Sequence, residues 1–397
     1  MSGFPRDAVI VDAVRTPVGK RKGQLAGWHP TDLLGFTLRG MLERVDLDPG
    51  RVDDVIAGCV TQVGEQSTNV ARNSWVAAGL PHHVPATSVD RQCGSSQQAV
   101  HFAAQGVISG AYDLVIACGV ESMTRVPMAS NATGGTGPFT PAFLEACDQK
   151  LYTQFEVSQI LADKWKITRE EMDELAVESH RRAHQATDAG AFAREILPVP
   201  MRDAEGNETG ETMIADEGIR PETTLETLAS LGPAAKWDPS IAPDITAGNS
   251  SQMSDGAAAM LIAERATAEA LGLPIRARFA HFAVAAEDPI LVLSAPNPAT
   301  RKLLERSGLE FDAFDAYECN EAFAAVVLMW AREFCPDMAK VNPRGGAIAL
   351  GHPLGASGVR IMTTLLHHLE DTGGRLGFQT MCEGGGQANA TVIEIER

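Results

Sequence analysis

Apolar runs of two kinds alternate along the chain. Ala8-Val9-Ile10-Val11-Asp12-Ala13-Val14 is apolar almost throughout, the pattern of a strand covered on both faces, and Arg15 to Lys20 reads as a turn around Pro17 and Gly19. From Pro30 to Glu43 the apolar positions recur at helical spacing, Val52 to Cys59 is again strand-like, and Asn69 to Ala78 reads as a helix. A short extended run, Ala86 to Val89, leads into Arg91-Gln92-Cys93-Gly94-Ser95-Ser96 and an alanine-rich helical pattern through about Ile108. Tyr112 to Val120 is the next apolar strand, ending at Cys118-Gly119. Strands and helices in alternation predict an α/β fold with helices packed around a mostly parallel or mixed sheet.

The pattern then breaks. Between about Glu121 and Thr246 come Gly/Pro/Thr-rich loops around Asn131 to Pro138, a helical run near Phe155 to Trp165, and a capping-box start at Thr168 with Glu171 three residues on. This loop-rich excursion reads as a lid or side wall over a pocket, or equally as a structural insertion. Ala247 to Gly256 returns the chain to an alanine-rich helix and a strand around Ala258 to Ile262.

The last third repeats the grammar of the first. Phe314 to Phe323 is a strand ending in a polar step before an apolar helix, as Val55 to Cys59 is. Gly351-His352-Pro353-Leu354-Gly355-Ala356-Ser357-Gly358 stands where Cys93-Gly94-Ser95-Ser96 stood, ahead of a small-residue helix, and Leu376 to Met381 is a strand ending at Cys382-Glu383-Gly384-Gly385-Gly386. The expected organisation is a first half of residues 1–120 with 247–273, an insertion of 121–246, and a second half of 274–397. Cys93 and His352 then occupy corresponding turns before helices, Cys382 lies beyond a corresponding central strand, and all three meet between the halves.

Composition narrows the chemistry. The 397 residues carry 33 basic and 51 acidic side chains, a formal charge of -18, which argues against nonspecific nucleic-acid binding; an anionic ligand requires a local patch of positive charge or amides. Seven cysteines without a CxxC pair fit neither a disulfide framework nor a zinc site, and point to the reducing cytoplasm. Met1 to Asp7 lacks the features of a secretory signal, and no apolar run approaches the roughly 20 residues of a membrane span. Cys93, at a strand-to-helix turn, meets amides that favour a thiolate and hold a developing oxyanion; the bland alternative is a small core residue.

Five blocks carry a family resemblance: Arg91-Gln92-Cys93-Gly94-Ser95, Ala247-Gly248-Asn249-Ser250-Ser251, Asn320-Glu321-Ala322-Phe323, Gly345 to Pro353, and Cys382-Glu383-Gly384-Gly385-Gly386. Together, and in this order over essentially the whole chain, they resemble the thiolases, the acyl-CoA acyltransferases. The resemblance implies two mixed-sheet halves in an α-β-α-β-α layering with an inserted loop domain, a homodimer or homotetramer, and CoA thioesters as substrates with no permanently bound cofactor and no metal. It makes Cys93 the acyl-accepting nucleophile, activated by His352, and Cys382 the second thiol, acting as acid and base. His352 with a water held by Asn320 forms one oxyanion hole and the amides of Cys93 and Gly384 another, while Ser251, with Gly248 and Ser250, meets the pantetheine arm of CoA.

Tyr152 to Glu156 departs from the His-Met-Gly-like stretch of many short-chain thiolases and resembles degradative members that accept larger acyl groups, steroid side chains included. Phe155 lines an acyl pocket or belongs to the core, and Arg344 reads as solvated rather than as a CoA phosphate contact. Cys59, Cys118, Cys147, Cys319 and Cys335 read as packing residues. The expected activity is thiolytic cleavage of 3-oxoacyl-CoA. The alternatives are a biosynthetic acetyl-CoA C-acetyltransferase, a decarboxylating condensing synthase, disfavoured by the Cys/His/Cys set, and a noncatalytic CoA-binding homologue.

Overall fold

The computed structural model describes residues 6–234 and 244–396. Met1 to Pro5, most of the stretch read above as free of a signal, and 235–243 of the insertion lie outside the described residues. The chain begins with β1 (Ala8–Arg15), β2 (Gly19–Lys20), α1 (Pro30–Arg44), β3 (Asp54–Gly58), α2 (Val70–Ala77), β4 (Ala86–Val89), α3 (Ser95–Ser109) and β5 (Leu114–Ser122). Next come α4 (Pro141–Ala146), α5 (Gln154–Trp165), α6 (Arg169–Asp188), β6 (Val199–Arg202), β7 (Glu208–Met213) and α7 (Leu225–Ala229). β8 (Ser254–Glu264) and α8 (Arg265–Ala270) lead to β9 (Ala277–Ala286), α9 (Pro296–Ser307), β10 (Ala316–Cys319) and α10 (Ala324–Phe334). The chain ends with α11 (Ala347–Leu350), α12 (Ser357–Thr372), β11 (Leu376–Glu383) and β12 (Gln387–Ile395).

The main sheet runs β10-β11-β12-β9-β1-β8-β5-β3-β4. On one side β3 pairs parallel with β5, which pairs antiparallel with β8, which pairs antiparallel with β1. On the other, β10 pairs parallel with β11, β11 antiparallel with β12, and β12 antiparallel with β9. The pairing senses match strand for strand, so the repeated grammar of the sequence is a repeated topology. The two runs join through a brief contact, Val9 with Arg278 and Ile10 with Ala277.

Side-chain alternation shows the layers. Val55, Ala57, Ile116 and Leu261 face outward onto Leu34 and Leu38 of α1 and Trp75 of α2. Their neighbours Ile56, Val115, Ala117, Met260 and Ile262 face inward onto Val100 and Val107 of α3 and Met362 and Leu366 of α12. In the second half Tyr317, Phe378 and Val392 meet Leu303 of α9 and Trp330 of α10. The order is therefore α-β-α-β-α, with α3 and α12 as the shared middle layer, and burial of each such aliphatic or aromatic side chain contributes roughly 1.5–3 kcal/mol.

The alanine-rich helix expected after Gly256 does not form; Ala257 to Ala263 lie in β8. Ala257 and Ala259 point to the outer core and Ala258 to the inner one, so helices press on both faces and small side chains let them approach. Burial on two sides overrides the helix propensity of alanine. Within the insertion, α5 and α6 both open with capping boxes, Thr153 with Glu156 and Thr168 with Glu171.

Candidate active site

Cys93 sits in a tight turn between β4 and α3. Gln92 adopts a left-handed φ of 48°, its amide donates to Asp90 Oδ1 at 2.7 Å, and Ser95 Oγ donates to the Gln92 carbonyl at 2.6 Å while accepting from the Arg91 amide at 3.0 Å. The turn turns Cys93 away from solvent into a small core with Val60, Met123, Leu354, Ile361 and Met381. The amides of Cys93 itself and of Gly384 both act on its sulfur. Burial, followed by the nearby Glu383, outweighs them and pushes the Cys93 thiol up to about 12. The expected resting thiolate is thus not the state of the free site, because desolvation exceeds what two amides return.

His352 is held just before α12. Its amide donates to Ser254 Oγ at 3.1 Å and to the Gln252 carbonyl at 3.2 Å. Gly351 precedes it with φ 104°, and a Cβ there would collide with Ser254 Oγ, so only glycine fits. Nδ1 lies 2.6 Å from Ser357 Oγ, which also lies 2.9 Å from the Pro353 carbonyl. A carbonyl only accepts, so the serine proton goes to Pro353 and His352 donates from Nδ1. Nε2 keeps its lone pair, and Asn320 Nδ2 points at it from 3.4 Å. Burial first, then Arg360, lowers the His352 pKa to about 3, leaving a neutral imidazole with its acceptor nitrogen beside Asn320.

Asn320 follows β10, and its amide donates to the Thr380 carbonyl of β11 at 3.1 Å. It does not cap α10, whose N-cap is Phe323; its side chain is buried and Oδ1 has no hydrogen-bond partner among the described residues. Cys382 is the penultimate residue of β11, inside the strand rather than beyond it, and paired with Ala388. Burial chiefly, and then the nearby thiol of Cys93, raises its pKa well above the usual thiol value.

The loop carrying Gly248, Ser250 and Ser251 is stitched to these blocks. The Ser251 amide donates to the Ala322 carbonyl at 2.9 Å, the Ala324 amide to the Asn249 carbonyl at 2.9 Å, and Ser250 Oγ to the Thr246 carbonyl at 2.7 Å. A Cβ on Gly248 would lie 2.6 Å from Leu228 and 2.7 Å from Leu231, so α7 closes on this loop. On the opposite side Arg91 donates to Gln387 Oε1 at 2.8 Å, tying the Cys93 turn to the turn that carries Gly384. Cys93 and Cys382 thus lie near one another, and the neutral imidazole of His352 lies beside the buried side chain of Asn320.

The model of the family described as "Thiolase, N-terminal domain" matches residues 8–266, and that described as "Thiolase, C-terminal domain" matches residues 273–395. The chain belongs to the thiolase family. A steroid 3-ketoacyl-CoA thiolase, FadA6 of Mycobacterium tuberculosis, is 48% identical over 395 residues, covering 98% of this chain and 94% of that one. A 3-ketoacyl-CoA thiolase of Idiomarina loihiensis is 44% identical over 394 residues, 98% and 99% of the two chains. The crystal structure of the Bacillus anthracis acetyl-CoA acetyltransferase superposes with a TM-score of 0.88 at 34% identity, covering 100% of each chain. This thiolase is a CoA-dependent acyltransferase acting on 3-oxoacyl-CoA substrates.

The thiolase departs from its sequence reading at several positions. Arg344 is neither solvated nor at a phosphate; it is buried, pairs with Asp371 and donates to the Ala191 carbonyl at 2.8 Å. Cys335 is exposed at the left-handed C-cap of α10, so it is no packing residue, whereas Cys59, Cys118, Cys147 and Cys319 are buried. Phe155 packs edge-on against Phe323, with ring centroids 5.3 Å apart. Gly355, not His352, holds the position in the second half that Cys93 holds in the first, two residues before the helix. Ser357, Ser254 and Gln252, which position His352, were not singled out from the sequence. A serine one turn beyond a Gly-His-Pro step was the available signal. Among the described residues no cluster of three or more His, Cys, Asp or Glu side chains forms a metal site, and no helix is long and apolar enough to cross a membrane.

Proposed function

We propose that Cys93 carries the acyl group in a degradative, thiolytic cycle. Neutral His352 takes the Cys93 proton at Nε2 as the sulfur attacks the 3-oxo carbon of the substrate. The C2–C3 bond then breaks, the departing acetyl-CoA carbanion takes a proton from Cys382, and the shortened acyl group stays on Cys93. Cys382 removes the proton of incoming CoA, whose sulfur attacks the thioester and regenerates Cys93. The pairing of His352, held by Ser357 with Nε2 as its acceptor, with Asn320 Nδ2 at 3.4 Å is the observation that carries this reading. The amides of Cys93 and Gly384 serve as donors to the thioester oxygen as it gathers charge, and one such donor is worth roughly 3 kcal/mol. Asn320, with Oδ1 uncommitted and Nδ2 toward His352, serves as the second oxyanion site through a water. The raised Cys382 pKa suits an acid that must hold its proton until a carbanion appears.

Gly248, Ser250 and Ser251 shape the passage for pantetheine, with Leu228 of α7 and Leu231 just beyond it as its wall. The preferred acyl group is bulky, in line with the name of the mycobacterial relative and with Tyr152 to Glu156; the active form is a cytoplasmic homodimer or homotetramer. CoA-dependent cleavage of acetoacetyl-CoA, long-chain and steroid-derived 3-oxoacyl-CoA thioesters tests the preference. The bulky thioesters should show the higher kcat/KM, and a dominant preference for acetoacetyl-CoA would instead favour the acetyl-transferring reading. Cys93→Ala should abolish acyl-enzyme formation, whereas Cys382→Ala should still accept an acyl group from a simple donor but fail to turn over.

A further inference from the structure

Ser95 stands 19 residues before Leu114, and Ser357 stands 19 residues before Leu376, so α3 with β5 and α12 with β11 superimpose in sequence without a gap. The eighth residue of each strand is a buried glutamate, Glu121 in β5 and Glu383 in β11. Each points across the seam to the turn before the other half's helix. Glu121 is fully used: it accepts from the amides of Val60 at 2.9 Å, Thr61 at 3.1 Å and Gly355 at 2.9 Å, and from Gln66 Nε2 at 2.8 Å. It clamps the Gly355 amide, the counterpart of the Cys93 amide.

Glu383 occupies the matching place and does the opposite. It is fully buried, neither carboxyl oxygen has a hydrogen-bond partner among the described residues, though the Asn389 amide is near enough to pull its pKa down, and a Cβ on Gly94 would collide with Oε1. Gly94 has an ordinary φ of -87°, so the Glu383 side chain and not the backbone demands glycine there. The equivalent clamp on the Cys93 amide is absent, and that amide donates no hydrogen bond to another group among the described residues.

We propose that Glu383 is a positioning residue for acyl transfer, whose buried side chain packs the Cys93–Gly94 turn in place while leaving the Cys93 amide free for the thioester oxygen. Facing it are Cys93 and Arg91 from the turn before α3 and the main-chain amide of Asn389 in β12, with Cys382 its neighbour in β11. Burial raises its pKa well above the carboxylate range against the opposing pulls of Arg91 and of the Asn389 amide, which keeps negative charge away from the developing oxyanion. An ionised Glu383 would both take the amide and repel the oxyanion.

The inference rests on Cys93 being the acylated residue, and acylation of the wild-type enzyme, followed by intact mass, establishes that independently. Glu383→Gln keeps the shape and the neutrality, so its acylation rate should stay within about 3-fold of wild type, with a superimposable pH profile between about pH 6 and 8. Glu383→Ala removes the packing, and kcat should fall by up to about 100-fold while KM for CoA changes little. A Gln variant as slow as the Ala variant, or a wild-type inflection in that pH window absent from Gln, would show that the charge or proton of Glu383 is itself used and overturn the proposal. So would an Ala variant with wild-type kcat. Glu383→Gln, which removes a buried acid without changing shape, keeps the test valid if the Ala variant fails to fold.

Discussion

His352 shows how one hydroxyl decides what a histidine can do. Ser357 gives its proton to Pro353 and therefore accepts from Nδ1, which leaves Nε2 as the only basic nitrogen of the ring. Removing that acceptor frees the ring to flip its tautomer or to leave Nδ1–H unpaired, at a cost of about 1–3 kcal/mol. Ser357→Ala should therefore lower the Cys93 acylation rate by about 10- to 100-fold with little change in CoA affinity. Stopped-flow acylation checks this, and an unchanged rate would show that the tautomer is set elsewhere. The depressed His352 pKa carries a sign as well. Its folded value of about 3 lies below the 6.5 of an exposed imidazole, so this group destabilises the fold as pH drops from 6.5 toward 3.

At the scale of elements, the two turns before α3 and α12 join the halves. Gly355 lies against Cys59 and Val120, and a Cβ there would sit 2.6 Å from the Val120 carbonyl and 2.7 Å from Cys59 Cα. Gly355→Ala should cost about 1–3 kcal/mol of stability by overpacking the seam, read as a lower urea midpoint, and should slow acylation because Leu354 packs beside Cys93. Much of this level is legible in the sequence. Cys93, Asn320, His352 and Cys382 stand out because each falls in a short polar or glycine-rich block between apolar runs, where a strand gives way to a helix or a turn. The repeated strand-helix order is legible for the same reason. Three things are not. The alanine run of β8 carries a helix-like composition, and only the second helix layer makes it a strand. The buried pairing of Arg344 with Asp371 depends on contacts far apart in sequence. Glu121 and Glu383 read as polar strand ends, and only their reach across the seam tells the clamp from the uncommitted acid.

Across the whole molecule, the interior buries charge as well as apolar surface. Arg15 is held by Glu195 at 2.6 Å and by Asp216 at 2.6 Å, and Arg360 lies fully buried near Glu318. Burial pushes Glu318 up to about 8, against the opposing attraction of Arg360. Its folded pKa exceeds the unfolded 4.5, so the unfolded chain ionises first and stability falls as pH rises from 4.5 to 8. Glu318→Gln stays neutral and should gain on wild type through this window, reaching a urea midpoint clearly above it at pH 7. Equal midpoints at pH 5 and pH 7 would contradict a buried neutral Glu318.

The proposed acyl transfer through Cys93 has the acyl-enzyme as its direct product. The enzyme should be mixed with a 3-oxoacyl-CoA in the absence of free CoA, quenched in acid, digested and mapped by mass spectrometry. One acyl group, shorter by two carbons than the substrate chain, should appear on the peptide containing Cys93, and addition of CoA before the quench should remove it. An acyl group on Cys382 or Cys319, or none on folded protein that binds CoA and turns the substrate over, would contradict the account.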